Sequence, residues 1–243
     1  MKALILNSGI GKRMGELTKT KNKCMAELSQ GITIIDWQLE LLQREGMKEA
    51  VITTGPFSDA LMEHVTKKHP GIHVMFRHNP SYDSTNYIYS IALAQDVLQG
   101  DDIILMHGDL VFEQSVLHDI MESKASVMAI DKSLPLPEKD FKAVVEDGKI
   151  TKVGIEFFEN AYAAQPLYKM LQVEWNLWLE EIMAYCGRGE RSVYAEHALN
   201  DISSQINLEP FDVNARICME VDNLEDLERA RGLMEGIIVT GKP

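Results

Sequence analysis

An α/β fold, built on a mostly parallel sheet with helices on both faces, is predicted by three observations. Short apolar runs alternate with stretches whose apolar residues recur at helical spacing over the first half of the chain. The first run, residues 3–6, passes directly into Asn7-Ser8-Gly9-Ile10-Gly11, as a buried parallel strand does when it enters a loop. The length of 243 residues, with 45% hydrophobic and 25% charged residues, supports a core without disulfides or structural metal.

The elements follow in order. Residues 33–44 place Ile34, Ile35, Leu39, Leu41 and Leu42 at helical spacing, and residues 50–53 form a second strand closed by Gly55-Pro56. A helix over 58–68 has Ser58 as its N-cap candidate. A third strand covers 73–77, a helix 85–97, a fourth strand 102–106, and a further strand 126–131. Residues 142–145 and 149–153 flank Asp147-Gly148, a hairpin signal. A helix is expected over 163–185, broken by Gly187-Arg188-Gly189, then another over 194–206. A late strand at 217–221 and a helix at 224–234 complete the set. No repeat or linker interrupts the chain, so one domain over 1–243 is expected, with a nucleotide-binding half near 1–132 and an acceptor-binding, metal-completing half near 133–243.

The net charge of −13 argues against nucleic acid or an anionic membrane as the main partner. The positive charge is uneven: Lys12, Arg13, Lys19, Lys21 and Lys23 cluster with only Glu16 among them. Cys24, Cys186 and Cys218 show no metal-type spacing and read as reduced thiols. No apolar run approaches the ~20 residues of a membrane span, and the apolar start is too short for a secretory signal. The expected location is the cytoplasm. The oligomeric state stays open, a dimer included.

Two kinds of motif carry chemistry. In Leu6-Asn7-Ser8-Gly9-Ile10-Gly11-Lys12-Arg13-Met14-Gly15, glycines let backbone N–H groups approach a phosphate. Arg13 suits bidentate pairing with phosphate oxygens, and Lys12 and Lys23 add point charges. No Gly-Lys-Ser/Thr closes the loop as in a P-loop, and a basic pair fills the place of a third dinucleotide-binding glycine. The alternative is a tight strand-to-helix turn with solvated lysines. The second kind is a strand that delivers a carboxylate at its C-terminal end, where open α/β sheets bind ligands. Residues 103–109 end in His107-Gly108-Asp109, and residues 218–222 end in Asp222. Two such carboxylates can share one Mg²⁺ with phosphate oxygens. Each also reads as a helix N-cap, Asp222 especially, because Asn223-Leu224-Glu225-Asp226 follows it.

Together these motifs resemble the nucleotidyltransferases that include the sugar-phosphate nucleotidylyltransferases and, closer, the phosphocholine and aminoalkylphosphonate cytidylyltransferases. Residues 7–14 stand for that family's Leu-Ala-Ala-Gly-x-Gly-x-Arg-Met/Leu. Asn22-Lys23-Cys24-Met25 stands for its Pro-Lys-x-Leu/Met, and His107-Gly108-Asp109 for its Gly/Ala-Asp. Phe141-Lys142-Ala143-Val144, Val193-Tyr194-Ala195-Glu196-His197-Ala198-Leu199-Asn200 and Met219-Glu220-Val221-Asp222 resemble motifs of the cytidylyltransferase branch. The match runs in order from Met1 to about Gly232. It departs at Asn7-Ser8, which replace two alanines, at Asn22, which replaces a proline, and in a shortened stretch after Gly154.

The resemblance implies a GT-A-like nucleotidyltransferase fold with a small acceptor-binding hairpin and helix portion. It implies Mg²⁺ held by Asp109 and Asp222, and CTP held by Asn7, Ser8, Gly9, Gly11, Lys12 and Gly108, with Arg13 and Lys23 on the reacting phosphates. The base would lie near Ser84, Thr85 and Asn86, which otherwise read as helix caps. A small phosphate or phosphonate acceptor, of the phosphocholine, phosphoethanolamine or 2-aminoethylphosphonate class, would meet Lys142, Glu196 and Tyr194. Trp175 and Trp178, three apart on a helix, fit a core stripe better than an amine cage. A sugar-1-phosphate uridylyl- or thymidylyltransferase would use the same loop and metal. A non-catalytic nucleotide-binding module would keep the fold, but Arg13, Lys23, Asp109 and Asp222 are all intact.

Overall fold

A computed structural model describes residues 1–240. In chain order the elements are β1 (Lys2–Asn7), β2 (Glu27–Ser29), β3 (Ile32–Thr33), α1 (Ile34–Arg44), β4 (Glu49–Thr54), α2 (Ser58–Lys68) and β5 (His73–His78). Next come α3 (Tyr87–Ala92), α4 (Gln95–Leu98), β6 (Ile103–His107), β7 (Leu110–Phe112), α5 (Gln114–Glu122) and β8 (Ser126–Asp131). The remainder holds β9 (Lys142–Glu146), β10 (Lys149–Gly154), β11 (Ala161–Met170), α6 (Gln172–Gly187), α7 (Ala195–Asp201), β12 (Leu208–Asp212), β13 (Cys218–Glu220) and α8 (Leu224–Thr240).

The centre of the main sheet runs β5-β4-β1-β6, and these strands are all parallel. β11 lies antiparallel to β6 and continues the sheet to the hairpin of β9 and β10. β8 pairs with β11 and, in parallel, with β12. The strand period of two explains why β1 is apolar throughout. Ala3 and Ile5 enter one core layer, and Leu4 and Leu6 the other. The first layer is covered by α1, α2, α5 and α8, the second by α3, α4, α6 and α7. Helices on both faces of a sheet with a parallel centre are what the alternating pattern requires.

Several expectations shift. The helix expected over 163–185 is strand β11 followed by α6. Pro166 was the overlooked signal: inside a helix it would cost ~3 kcal/mol, whereas here it falls where β11 and β8 lose register. The helix expected from residue 85 begins at Tyr87, because the Asn86 side chain accepts from the Tyr87 N–H at 2.8 Å. That of 194–206 ends at Asp201, before a 3-10 turn. Ser58 is the first residue of α2, and the capping position is Phe57, with φ 55° and no side-chain cap. The short strands β2, β3, β7 and β12 and helix α5 were not anticipated. Trp175 and Trp178 are fully buried in the second layer. Among the described residues, no helix is long and apolar enough to cross a membrane.

α1 is anchored at its start by a buried polar cluster. Thr33 caps it, and the Asp36 carboxylate accepts from the Thr33 N–H at 2.9 Å and hydroxyl at 2.7 Å. The same carboxylate receives Lys68 Nζ at 2.7 Å and the Nε2 atoms of His64 and His69 at 2.8 Å each. Burial alone would raise the Asp36 pKa; the hydrogen bonds from His69, Lys68 and Thr33 overcome it and hold the group far below the usual carboxylate range. A depressed folded pKa stabilises the fold above the unfolded value of ~3.9, and that contribution fades as the pH falls below it. Asp36→Asn should therefore lose about 3 kcal/mol in urea unfolding at pH 7. The gap to the parent should narrow on acidification below about pH 4.

Candidate active site

The glycine-rich loop leaves the C-terminal end of β1 at the middle of the sheet. Gly11 has φ +68°, a left-handed conformation that favours glycine, and its carbonyl accepts from the Thr18 hydroxyl at 2.9 Å. Two 3-10 turns follow, Lys12–Thr18 and Lys23–Met25. The backbone N–H groups of Ser8, Gly9, Ile10 and Gly11 make no hydrogen bond to the described protein. Four free donors at the end of a parallel strand form a natural cradle for phosphate oxygens.

The turn between β6 and β7 sits beside this loop. Gly108 donates to the Leu6 carbonyl at 3.0 Å, and a Cβ on Gly108 would fall 1.9 Å from the Asn7 side-chain oxygen. Glycine is therefore the residue that lets the two loops touch. From the layer beneath, the buried Gln38 of α1 donates from one Nε2 to the carbonyls of His107 and Leu110, both at 2.8 Å. It thus spans Gly108 and Asp109. The last strand is tied to the same turn by the β7–β13 ladder and by the Val221 N–H, which donates to the Asp109 carbonyl at 2.9 Å.

Asp222 does not cap α8. Asn223 does: its side-chain oxygen accepts from the N–H groups of Glu225 and Asp226 at 2.8 and 3.0 Å. Asp226 reciprocates, accepting from the N–H groups of Asp222 and Asn223 at 3.0 and 3.2 Å. The Asp222 carboxylate is left to face Asp109. Lys23 bridges them, with Nζ 2.5 Å from Asp109 Oδ2 and 2.7 Å from Asp222 Oδ1. Arg13 Nη2 reaches the same Asp222 oxygen at 2.8 Å. Burial opposes the Lys23 charge, but the two carboxylates outweigh it and hold its pKa above the usual lysine value.

These groups line a cleft of about 500 Å³ whose far wall is aromatic. The Tyr87 ring meets His107 edge-on at 5.0 Å, and the Tyr194 ring meets Phe141 at 4.9 Å. His107 Nδ1 lies 3.1 Å from Glu220 Oε1. Burial works against the His107 charge, but the Glu220 carboxylate and Asp109 raise its pKa. Burial also raises that of Glu220, with Asp109 and Asp222 adding to it against the pull of His107. One atom each of His107, Asp109 and Glu220 lie within 4.8 Å of one another. Asp109 Oδ1 and His107 Nε2 are buried with no protein partner, the condition expected of atoms that face a cation or ligand. Hard carboxylate oxygens in this position fit a divalent ion such as Mg²⁺.

A smaller recess of about 170 Å³ opens from the loop and is lined by Ser8, Gly9, Asn79, Thr85 and Asn86. Asn79 Nδ2 donates to the hydroxyls of Thr85 and Ser90, each at 3.0 Å. The structure thus gathers Asn7, Gly9, Gly11, Lys12, Arg13, Lys23, Asn86, Asp109, Tyr194 and Asp222 around one cleft, with Ser8 and Thr85 in the recess and Gly108 packed against Asn7.

Three expected site residues lie elsewhere. Ser84 lines neither space; its hydroxyl turns to Ser81 and Asp83. Lys142 is fully buried: Nζ donates to the carbonyls of Pro137 and Asp140 at 2.6 and 3.1 Å and sits 4.2 Å from the centre of the Phe158 ring. Burial lowers its pKa. It therefore ties down the 132–141 segment rather than facing the cleft. Glu196 is buried behind the aromatic wall, where its two oxygens accept from the hydroxyls of Tyr87 and, at 3.0 Å, Tyr168. Where the sequence offered Glu196, the cleft instead receives Glu220, beside Asp109, Asp140 and Asp222. Its position, two residues before Asp222 in a strand, was the available signal, since period two puts both on one face. Gln38 and Tyr87 carried no comparable signal, whereas Phe141 stood in the same motif as Lys142.

Fold and cleft first define a class. Over 97% of this chain and 95% of its own, the inositol-1-phosphate CTP transferase of T. maritima superposes with a TM-score of 0.78 at 22% identity, so the architecture is that of the nucleotidyltransferases. The chain belongs to the nucleotidyl transferase family, whose model matches residues 2–138. Similar curated proteins include the CTP:phosphoglutamine cytidylyltransferase of Campylobacter jejuni, 30% identical over 63% of this chain. Another is the CMP-5'-(3-aminopropyl)phosphonate synthase of Streptomyces rubellomurinus, 30% identical over 55% of this chain. The matches span 62% and 21% of those relatives' own lengths.

Gln38→Met keeps the volume and removes the donor to both turn carbonyls. It should cost about 1–3 kcal/mol in urea unfolding. In hydrogen exchange it should also deprotect the peptide that carries residues 107–110. Gln43→Met is the control, because the Gln43 amide contacts Leu39 and His69 and not the turn. Equal protection in both variants would refute the role given to Gln38.

Proposed function

We propose that this protein is a Mg²⁺-dependent cytidylyltransferase that moves CMP from CTP to a small phosphate or phosphonate acceptor and releases pyrophosphate. The supporting observation is the convergence, in one cleft, of four unpaired loop amides, the Lys23 and Arg13 cations, and the carboxylates of Asp109 and Asp222. The names of the similar cytidylyltransferases support CTP as donor and phosphorylated or phosphonate acceptors.

On this reading the amides of Ser8 to Gly11 and the Lys12 ammonium bind the triphosphate. Arg13 turns from Asp222 to the departing pyrophosphate, and Lys23 turns from the carboxylates to the α-phosphate, where charge accumulates during attack. Asp109 and Asp222 would hold Mg²⁺, which when bound neutralises phosphate charge. The acceptor's oxygen is already ionised near pH 7, its second pKa being ≈ 6, so the attack needs no general base. The base enters the recess beside Thr85 and Asn86, whose amide and hydroxyl groups read its edge. A cationic acceptor end meets the faces of Tyr87, Phe141 and Tyr194, with Glu220 as counter-charge. In this division residues 1–132 hold the nucleotide and 133–243 complete the acceptor and metal sites.

Pyrophosphate release measured with the four nucleoside triphosphates crossed against phosphocholine, phosphoethanolamine, 2-aminoethylphosphonate and a sugar 1-phosphate decides the reading. CTP with an aminoalkyl acceptor is expected to turn over; UTP or dTTP with the sugar phosphate would replace the proposal. Asp109→Ala should lower turnover on the order of 10³-fold with an unchanged melting temperature. Lys23→Met should abolish turnover, yet strengthen Mn²⁺ binding to the nucleotide-free protein, because the ammonium now competes for both carboxylates. Weaker Mn²⁺ binding in that variant would contradict the competition.

A further inference from the structure

A second chamber, about 180 Å³, lies behind the carboxylates of the main cleft. The two spaces share Asp140, Glu220 and Asp222 as a common wall. The segment from Leu134 to Pro137 covers the chamber, Gln165 of β11 lines it from the sheet, and Arg229 of α8 stands at its edge.

Two of its polar groups are uncommitted. Gln165 is 9% exposed, yet its side-chain amide has no hydrogen-bond partner among the described residues. Most of the residue is buried, while the amide itself opens on the chamber and is free to pair with a ligand there. The backbone aims it there. The register of β11 against β8 shifts between Ala164 and Tyr168, and Pro166 follows Gln165 within that irregularity. Such bulges turn a side chain out of the regular alternation, often beside a binding site. Arg229 is exposed and pairs with no carboxylate among the described residues, although Asp222 and Asp226 line the same space. Those acids are already engaged: Asp222 with Lys23 and Arg13, Asp226 with two backbone N–H groups, and Glu220 with His107.

A free guanidinium and a free carboxamide facing one small space suit a carboxylate, which accepts from both. Asp140, and the Glu220 oxygen that His107 does not engage, stand on the shared wall and suit an ammonium beside it. We propose that this chamber receives the non-reacting end of the acceptor, and that this end carries a carboxylate next to an amine. Within the proposed acceptor class, an amino-acid-like phosphate or phosphonate is then preferred over a simple aminoalkyl or choline phosphate. Gln165 and Arg229 are its specificity-determining residues. The inference rests on the cytidylyltransferase reading for the position of the acceptor's phosphate.

The test is calorimetric binding to the full chain with Mg²⁺ and a non-hydrolysable CTP analogue. Two matched pairs of probes differ only by the carboxylate: O-phospho-L-serine against O-phosphoethanolamine, and O-phospho-L-homoserine against 3-aminopropyl phosphate. At least one carboxylate-bearing probe should bind ten-fold or more tightly than its partner. Arg229→Ala and Gln165→Leu should each shrink that ratio at least three-fold. Because a ratio is read, a general loss of folding lowers both partners alike and leaves it unchanged. Equal affinities within both pairs, or a preference that survives both substitutions, overturns the chamber assignment. If the pairs are distinguished only with a nucleotide other than CTP, the cytidylyl reading fails while the chamber stands.

Discussion

The Lys23 ammonium between Asp109 and Asp222 is the interaction on which the arrangement of the cleft depends. Two carboxylates this close would repel each other in a partly buried site, and a cation between them makes their approach favourable. On the proposed reading, the same charges would serve a magnesium-bound triphosphate. The protein holds its acidic pair in place by lending it a lysine whose proposed role in turnover lies on the nucleotide.

That bridge can form only because three backbone devices bring its members together. Gly108 lets the β6–β7 turn close on Asn7, where any Cβ would collide. Gln38 fixes the same turn from below through two carbonyls. The reciprocal cap of Asn223 and Asp226 satisfies the start of α8, so that Asp222 need not. The first removes a steric clash and the other two satisfy backbone hydrogen-bonding groups at the end of an element, and together they place a pair of side chains. The aromatic wall is stiffened in a comparable way, because Glu196 ties Tyr87 of α3 to Tyr168 of β11 from behind.

Much of the fold was legible because period carries it. The apolar runs of β1, β4 and β6 and the helical stripe of α1 read directly, and the Asp147-Gly148 hairpin formed as expected. β11 was misread because its alanines favour a helix while its pairing with β6, β8 and β9 decides otherwise, a tertiary override that Pro166 alone announced. In the site, the residues of the glycine loop and the two aspartates were legible because glycine and strand-end acids have few other uses. Lys142 and Glu196 were misplaced for the opposite reason. A charged residue in a motif reveals its type but not its direction, and both of these turn inward to carbonyls or hydroxyls. Gln165 was invisible, since its exposure to the second chamber comes from a register shift that no local pattern encodes.

The pairing of β7 with β13 has a bearing on how the molecule acquires its form. Lys23 and Asp222 lie 199 positions apart, and His107 and Glu220 are separated by 113. Joining such remote stretches is entropically slow compared with closing a helix or hairpin. The parallel centre can assemble from the first half of the polypeptide, but the acidic pair is incomplete until the penultimate segment docks. A chain arrested before that point would hold the glycine loop and Asp109 without the second carboxylate that Lys23 joins to them.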